Sequence, residues 1–503
     1  MRLTHNPQRQ LGQIDIASIT FNARSRDELP QVLKGLQYIY TNEPVRDAVF
    51  ACLEKHIAVK QSKTNGRPGM ELWNILVIGV LRLDLNWDYD RLEDEVNNHQ
   101  KIRQMLGHSD FGDETVYALQ TLKDNVSLLT PELLDEINQI VVEAGQAAVK
   151  KKDVSEVLRG RCDSFVVKTN VHYPTDINLL WDALRKMLQG IASLCDNLTV
   201  EGYRQSKHTL RQLKKALREC QQKKRSKAKT DTKKAAQAEA IITAHQTYID
   251  AANVQINKVQ NTLANLREEG LLTNITQVCA AATIDGWIEH AVRQINQTER
   301  RVIMGEIIPQ NEKVFSIFEP HTEWVCKGKA GVPVELGLKV CIVEDQHQFI
   351  LHHRVMEHKM DSDIAVSIVC EAKERFTRLN LVSFDKGFHS PDNHIGLGEL
   401  LAMVVLPRKG KLSKANQAIE SSDEFRRTRH QHSAVESAIN ALQVHGLDRC
   451  PDKGLHAFKR YISLAVLARN FQTLGVIIIK QEKQRKERQQ RYFARDGLNK
   501  LVV

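Results

Sequence analysis

The sequence predicts a mixed α/β fold that carries a long helical insertion and follows an all-α N-terminal domain. Three observations predict it. Apolar residues recur at helical spacing in residues 1–150, short β-branched runs appear near Arg161 and again after residue 300, and helical periodicity returns between 178 and 269. The order of strand, long helical interruption, strands, helix, strands and helix indicates one α/β domain that is interrupted after its first strand.

Residues 1–150 are predicted to be helical. One helix carries an apolar face, a second has Leu92 and Val96 inward, and a third is expected to start at Asp113 as its N-cap. Two interpretations stay open, a helix-turn-helix DNA reader and a helical bundle used for packing or dimerisation. The apolar face of the first helix consists of Leu72, Ile75, Leu76, Gly79, Val80 and Leu83.

The next segment changes from strand to helix. Residues 162–168, CDSFVVK, form a short β-branched run that ends before Pro174, and helical spacing begins near Asn178. Two interleaved heptad series then indicate a coiled-coil seam, so we expect an antiparallel helical hairpin over 176–299 with a basic tip. The two series are Ile249, Ile256 and Leu263, and Ala252, Val259 and Leu266.

Strand signals return after the insertion and assign 160–175 together with 300–479 to the α/β domain. A basic C-terminal tail, 480–503, follows it. The predicted strands are Arg301–Ile308, Lys313–Phe318, Val334–Glu344, Gln348–Met356, Leu379–Phe384 and Leu401–Leu406, and the predicted helices are Ile364–Phe376, Ser433–Val444 and Leu464–Ile479.

The positive charge is confined to two segments. The chain has 71 Lys and Arg against 61 Asp and Glu, a net charge of +10. Residues 204–234 contain 13 basic and 2 acidic residues, and residues 480–495 contain 7 basic and 2 acidic ones. The remainder is therefore mildly acidic, and the basic segments predict contact with a polyanion rather than a generally basic protein.

Composition excludes several classes of protein. The 42% of hydrophobic residues is too high for a disordered chain, and the longest apolar run, Leu72–Leu81, is about half of the roughly 20 residues that span a bilayer. Nine cysteines without a Cys-x-x-Cys pair favour neither a disulfide framework nor a zinc ribbon. We expect a cytoplasmic protein without a membrane segment, since the start MRLTHNPQRQ lacks the apolar core of a secretory signal.

Three carboxylates are candidates for a metal site. Asp163 lies in the first short strand, Asp385 directly follows another strand and precedes Gly387, and Glu436 lies beside the apolar stripe of a later helix. Aspartates at strand ends can converge, and close carboxylates need a cation such as Mg²⁺. A turn role for each aspartate and a solvated surface position for the glutamate are the alternatives.

Several motifs resemble those of bacterial insertion-sequence transposases with a DDE site. They are CDSFVVKTNVHYPTD at 162–176, FDKGF at 384–388, RHQHSAVE at 429–436, and more weakly GRP at 66–68, DET at 113–115, KGK at 327–329 and ELGLKV at 335–340. Phe165 stands where this family usually has Thr. The resemblance implies an RNase H-like catalytic domain in which Asp163, Asp385 and Glu436 bind two Mg²⁺ ions, with Mn²⁺ as a substitute.

Basic residues beside these motifs are candidate DNA contacts. Lys386 and His389 follow the second aspartate, Arg426, Arg427 and Arg429 precede the glutamate, and Lys223, Lys224 and Arg225 lie in the basic insertion. A solvated loop or surface is the alternative for each group. His172 and Asp176 either contact DNA or anchor the turn before the insertion, whereas His352, His353 and His358 lack the partners of a transition-metal site.

The resulting functional hypothesis is an insertion-sequence transposase in the bacterial cytoplasm, associated with the nucleoid. It would cleave DNA at the terminal inverted repeats with Mg²⁺ and transfer the freed 3′-hydroxyl to target DNA. Joining two ends implies a homodimer or a larger assembly. The alternatives are a domesticated or hydrolysis-only nuclease of the same fold, and a non-catalytic coiled-coil protein that binds nucleic acid.

Overall fold

A computed structural model describes residues 2–6, 8, 11–22, 25–57, 69–149, 157–225, 230–326 and 333–499, with side chains to 492. The motifs at 66–68 and 327–329, part of the basic tip at 226–229 and the last residues of the tail lie outside this range. The described chain divides into two compact units, which are treated separately: Met1–Asn170 with Val325–Val503, and Val171–Trp324.

The first unit is a mixed α/β structure around a seven-stranded sheet. The strand order is β2-β3-β1-β5-β6, with β4 also paired to β3 and β7 to β1. β3 runs antiparallel to β1 and β4, whereas β5 runs parallel to β1 and β6. The strands are β1 Leu158–Thr169, β2 Glu323–Cys326, β3 Val334–Asp345, β4 Ile350–Met356, β5 Leu379–Phe384, β6 Met403–Val405 and β7 Arg449–Cys450.

Helices pack around this sheet and share one hydrophobic core with it. The predicted helices at 364–376, 433–444 and 464–479 are confirmed, although the last is much longer than expected. The helices of this unit are α1 Leu29–Thr41, α2 Glu43–Ile57, α3 Leu72–Asp84, α4 Tyr89–Asn98, α5 Gln100–Met105, α6 Leu119–Val126, α7 Pro131–Val149, α12 Asp361–Arg375, α13 Pro391–Leu400, α14 Lys414–Ser421, α15 Asp423–His432, α16 Ala434–Leu442 and α17 Leu455–Asn499.

The N-terminal helices do not form a unit of their own, which differs from the predicted boundary at 150. Every residue of α3 is buried, so this helix is covered on all sides rather than on one face. The cover includes α17, which packs against α1, α3 and α7 and also touches β4. The N-terminal region is helical as predicted, but its core is continuous with that of the sheet.

The predicted third N-terminal helix starts later than expected. Asp113 does not cap a helix; its carboxylate accepts hydrogen bonds from the backbone N–H of Thr115 and pairs with His108 at 2.8 Å. Val116 is 74% exposed, and α6 begins only at Leu119. The Asp-x-Thr sequence forms a local turn here, in competition with the helix start.

The second unit, Val171–Trp324, is almost entirely helical. Its helices are α8 Asp176–Leu198, α9 Ser206–Arg225, α10 Asp231–Glu268 and α11 Ile275–Thr298. All six residues of the two predicted heptad series are buried in its core. These four helices replace the two of the predicted hairpin: α8 packs against α9 and α11, and α10 packs against α9.

Two predicted strands are wrong. Residues Glu299–Ile303 form a π-helical turn that continues α11, and residues 313–318 contain no regular element. The β-branched residues that suggested strands instead anchor an irregular segment, since Ile308 and Ile317 are buried. Apolar β-branched runs form strands only where a neighbouring strand is available, and the sheet that would offer one is built from other segments.

One apolar helix meets the length and composition of a membrane span. Its described residues are Leu455–Tyr492, and 78% of its most apolar 18-residue window is buried inside the protein. The residues of that window pack in the core of the first unit. The core helix of a folded unit passes the same test, so length and composition do not by themselves indicate a membrane segment. The predicted basic tail continues this helix to Asn499.

The crossing of α1 and α17 generates a stability prediction. A Cβ on Gly475 would lie 1.8 Å from the carbonyl oxygen of Gln31, and one on Gly35 would lie 2.1 Å from that of Phe471. Because backbone atoms cannot move aside, we expect Gly475→Ala to lower the free energy of unfolding by about 2 kcal/mol or more. Urea denaturation followed by circular dichroism measures this change.

The matched control is Gly398→Ala in α13, where an added Cβ meets nothing within 4 Å. It should be neutral or stabilising by up to about 1 kcal/mol, as alanine favours helix. Equal stabilities for Gly475→Ala and the parent protein would contradict the close approach of the two helices.

Candidate active site

The two predicted aspartates lie on neighbouring parallel strands, Asp163 in the middle of β1 rather than at a strand end, and Asp385 directly after β5. The register of β1 with β5 pairs Cys162 with Phe384. Asp163 follows Cys162 and Asp385 follows Phe384, so the same pairing brings the two aspartates to one level of the sheet. Parallel strands carry this register only when both are buried, as Cys162 and Phe384 are.

The environment of Asp163 disfavours its negative charge. Its Oδ1 accepts a hydrogen bond from the backbone N–H of Ser164 at 2.7 Å, which stabilises the carboxylate. Burial acts more strongly in the opposite direction, and the negative charges of Asp385, Asp361 and Glu436 add to it, so the pKa of Asp163 rises from 3.8 to about 6. The site therefore concentrates more negative charge than it compensates.

Asp385 begins a short 3₁₀ turn, Lys386–Phe388, and is exposed. The turn is fixed by Phe388, which is buried in the core and stacks near Phe384 with ring centroids 5.5 Å apart. Gly387 does not have a positive φ. A Cβ there would lie 3.5 Å from Asp361 Oδ2 and 3.7 Å from Asp385 Oδ2, which are ordinary contact distances and place both carboxylates close to this turn.

Glu436 lies in the first turn of α16. Val435, Ala438 and Leu442 bury one face of this helix, and Glu436 is exposed beside it. α16 contacts β1, and the charge of Glu436 reaches Asp163 closely enough to raise its pKa. The structure therefore brings all three predicted carboxylates into one electrostatic neighbourhood.

Sequence reasoning missed a fourth carboxylate, Asp361. It is the first residue of α12 and accepts hydrogen bonds from Ser164 Oγ at 2.6 Å and from Lys339 Nζ at 3.0 Å. Its partner Ser164 directly follows Asp163, and its own charge also raises the pKa of Asp163. The Asp-Ser-Asp sequence at 361–363 indicates a helix start, but nothing in it pointed to this site.

His432 was also missed, although it belongs to the RHQHSAVE motif at 429–436. Its Nδ1 lies 3.0 Å from Ser383 Oγ, two residues before Asp385, and its Nε2 is buried without a hydrogen-bond partner in the described structure. Burial lowers the pKa of His432, although the charges of Asp385 and Glu436 oppose this. A neutral imidazole therefore borders the carboxylates, leaving their negative charge uncompensated on this side.

Cations lie near the turn that follows the second aspartate. Lys386 is exposed beside it, and Lys409 Nζ donates to the carbonyl oxygen of Gly387 at 3.3 Å. The pKa of His389 is lowered by partial burial and then by the positive charges of Lys409 and Arg408. Lys386 and His389 were predicted, whereas Arg408 and Lys409 were missed because they follow β6, far along the chain.

The three predicted arginines are exposed on α15. Phe425 and Thr428 bury one side of this helix. Helix geometry places Arg426 and Arg429, three residues apart, on neighbouring positions, while Arg427 lies about 100° away from Arg426. The arginines thus spread over the exposed side of α15 and form a broad basic surface rather than one compact patch.

Lys223, Lys224 and Arg225 are exposed at the end of α9 in the second unit. Their helix turns its apolar face, Leu213, Leu217 and Cys220, into the core.

His172 and Asp176 each have partners that fit the anchoring interpretation: His172 pairs with Asp182 at 2.6 Å and Asp176 with Arg301 at 2.9 Å. His352 pairs with Glu371 at 2.8 Å, and His353 lies 3.1 Å from Ser463 Oγ.

The charge at Asp163 predicts a pH-dependent stability. Its raised pKa means that the folded protein binds a proton more tightly than the unfolded chain, so its charge destabilises the fold as pH rises from about 4 to above 6. Asp163→Asn keeps the acceptor for Ser164 N–H and removes the charge. Without divalent metal we expect it to raise the free energy of unfolding by about 1–3 kcal/mol at pH 8, and much less at pH 4.

Urea denaturation at the two pH values measures this difference. The exposed Asp392→Asn is the control and should show no comparable gain at pH 8. A variant at Asp163 that is no more stable than the parent at pH 8 would contradict the electrostatic description of the site.

Comparison with known proteins adds no assignment to this geometry. Among the described residues, no group of three or more His, Cys, Asp or Glu side chains lies close enough together to hold a metal ion as it stands. Comparisons with protein-family models, with curated proteins and with solved structures found no match for the chain.

Proposed function

We propose that the protein is a metal-dependent DNA strand-transfer enzyme of the insertion-sequence transposase type. The observation that carries the proposal is the β1–β5 register, which sets Asp163 beside Asp385 where Glu436 adds a third negative charge. Asp163 lies in β1, Asp385 follows β5 and Glu436 lies in α16. The packing of these elements does not require their carboxylates to lie near one another. A phosphodiester substrate with bound cations would explain their proximity.

The fold supports the finer part of the proposal, an RNase H-like catalytic domain. Such a site needs its first aspartate on an interior strand, its second on the neighbouring strand and its glutamate on a helix that touches the first strand. β1 lies between β3 and β5, β5 precedes Asp385, and α16 contacts β1. The all-helical unit between β1 and β3 corresponds to the proposed insertion.

The donor set fits Mg²⁺. Carboxylate oxygens are the ligands that this ion prefers, and a bound cation would offset the burial and the neighbouring acids that raise the pKa of Asp163. Asp163, Asp385 and Glu436 would hold two ions, with Mn²⁺ as a substitute. When bound, the ions would activate water and stabilise the leaving 3′ oxygen.

The protein's own residues would bind and orient the DNA. Lys386, His389, Arg408 and Lys409 lie near the turn after the second aspartate and would contact the phosphates next to the bond that breaks. Hydrolysis of that bond leaves a free 3′-hydroxyl. The hydroxyl then attacks a phosphodiester of target DNA and displaces its 3′ oxygen, so the number of phosphodiester bonds is conserved in the second step.

Asp361 would act through the other groups rather than on DNA. By accepting from Ser164 Oγ and from Lys339 Nζ, it links the residue after Asp163 to β3 and to the start of α12. We infer that Asp361 orients Asp163 through Ser164. The proposed assembly is a homodimer or larger, because two element ends must be joined.

The main test uses a duplex that carries the inverted repeats flanking the gene. Asp163→Asn, Asp385→Asn and Glu436→Gln should each reduce Mg²⁺-dependent cleavage by more than the roughly 10–100-fold typical of an outer-shell change. Denaturing gels measure nicking, and joined products measure strand transfer. Asp392→Asn, an exposed aspartate outside the cluster, should retain full activity.

Two outcomes would contradict the proposal. Full cleavage by folded Asp163→Asn or Asp385→Asn would remove the catalytic assignment. Nicked DNA without joined products from the parent protein would indicate a nuclease that acts only by hydrolysis.

A separate prediction concerns Asp361. Asp361→Asn should reduce cleavage by about 10–100-fold at saturating DNA, with unchanged affinity for the duplex, because it disturbs the orientation of Asp163 without removing a metal ligand. Measuring the rate against Mg²⁺ concentration distinguishes this role, since a positioning defect should be partly overcome by more metal. If Asp361→Asn instead loses as much activity as Asp163→Asn, and if more metal restores none of it, Asp361 would be a metal ligand.

A further inference from the structure

The helical unit contains a cavity of about 440 Å³ that the proposed catalytic site does not use. Residues 173–179, at the start of α8, line one part of it, and the segment that follows α11 lines another. This volume falls within the roughly 300–1,000 Å³ of small-molecule sites. Its lining contains both aromatic rings and cationic side chains. The rings lie outside the hydrophobic core of the unit, and the cations exceed the acids that could pair with them.

The aromatic part consists of Tyr173, Phe315 and Trp324. The ring of Trp324 lies 5.7 Å from that of Tyr173 and 5.6 Å from that of Phe315, measured between centroids. None of the three belongs to the hydrophobic core of this unit, and Tyr173 is 63% exposed. Three clustered rings outside the core offer a surface on which a planar apolar group can stack.

The cationic part consists of Lys224, Arg301 and Lys313. Arg301 is paired with Asp176 at 2.9 Å, whereas neither lysine has an ion-pair partner among the described residues. The second acid of the lining, Glu306, is paired with Arg300 at 2.8 Å. Both acids are thus compensated, and the two lysines leave the cavity with an excess of positive charge.

The backbone that carries Arg301 is irregular. α11 ends at Thr298 and continues as the π-helical turn Glu299–Ile303. Such turns are rare and often lie at functional sites, because they place side chains where a regular helix would not. Here the turn directs Arg301 to Asp176 at the beginning of α8, which fixes one wall of the cavity.

We propose that this cavity binds one unpaired nucleotide of single-stranded DNA, with its base on the Trp324 ring cluster and its phosphate at Lys224 and Lys313. Stacking rings next to free cations are the combination by which proteins hold single strands without reading their sequence. A base that is paired within a duplex cannot enter a concave site of this size. The inference rests on the proposed function only in taking DNA as the ligand.

Binding of a fluorescently labelled oligothymidylate of about 12 nucleotides tests the inference on the full chain in buffer with chelator, where no metal-dependent cleavage occurs. Fluorescence anisotropy gives the affinity, and a blunt duplex of equal length is the comparison. Trp324→Ala should weaken single-strand binding about 5- to 100-fold and change duplex binding less than about twofold. Trp324→Phe, which keeps a ring, should restore most of the affinity.

Lys313→Ala supplies a second variant that does not alter the rings. It should lower the dependence of single-strand affinity on salt, reducing the slope of log K against log salt by about 0.7. The matched controls are Trp287→Phe and Arg293→Ala, both on α11 and outside the cavity lining, which should bind as the parent does.

The inference is overturned if folded Trp324→Ala binds the single strand within twofold of the parent, or if it weakens single strand and duplex equally. The catalytic proposal fails independently, because Asp163→Asn should bind the single strand normally. Loss of cleavage in that variant with unchanged binding in Trp324→Ala would leave the catalytic proposal standing and remove this one.

Discussion

The pairing of β1 with β5 is the constraint on which the candidate site depends. Cys162 opposite Phe384 forces Asp163 and Asp385 to the same level of the sheet, and neither aspartate can leave without breaking a buried parallel register. The fold therefore stabilises a repulsive arrangement. Burial and three neighbouring acids raise the pKa of Asp163, and the hydrogen bond that it accepts from Ser164 N–H compensates only part of its charge.

The register is held from both sides by the rest of the first unit. β3 pairs with β1 over nine residues on the other edge, and β4, paired with β3, packs against α7 and α17. The N-terminal helices then enclose α17, with Gly35 and Gly475 allowing two backbones to meet. The N-terminal helical region, for which a DNA reader and a packing bundle were both open, therefore supports the sheet, and the burial of α3 on all sides is the reason.

The sequence pattern predicted features that depend on residues close together along the chain. It missed features that depend on contacts between residues far apart in the sequence. The heptad series on α10 was predicted because its spacing alone determines which residues are buried. Asp385 was found because the end of β5 is visible in the sequence, whereas Asp163, expected at the start of a short strand, lies in the middle of the longer β1. Asp361, Arg408 and Lys409 join the site only through the sheet order, and the β-branched runs at 301–308 and 313–318 gave no sign that they lacked a partner strand.

The uneven distribution of charge along the chain can be related to the candidate site. Outside the two basic segments the chain is mildly acidic, and such a surface does not by itself attract DNA to carboxylates. Lys386, Arg408 and Lys409 add positive charge near the turn after Asp385, where a phosphate could be held although the average charge opposes it. The basic residues of α9 stay exposed because its apolar face alone is buried, which leaves them available for a polyanion. Local cations at the site and a basic helix elsewhere therefore make an acidic centre compatible with a DNA substrate.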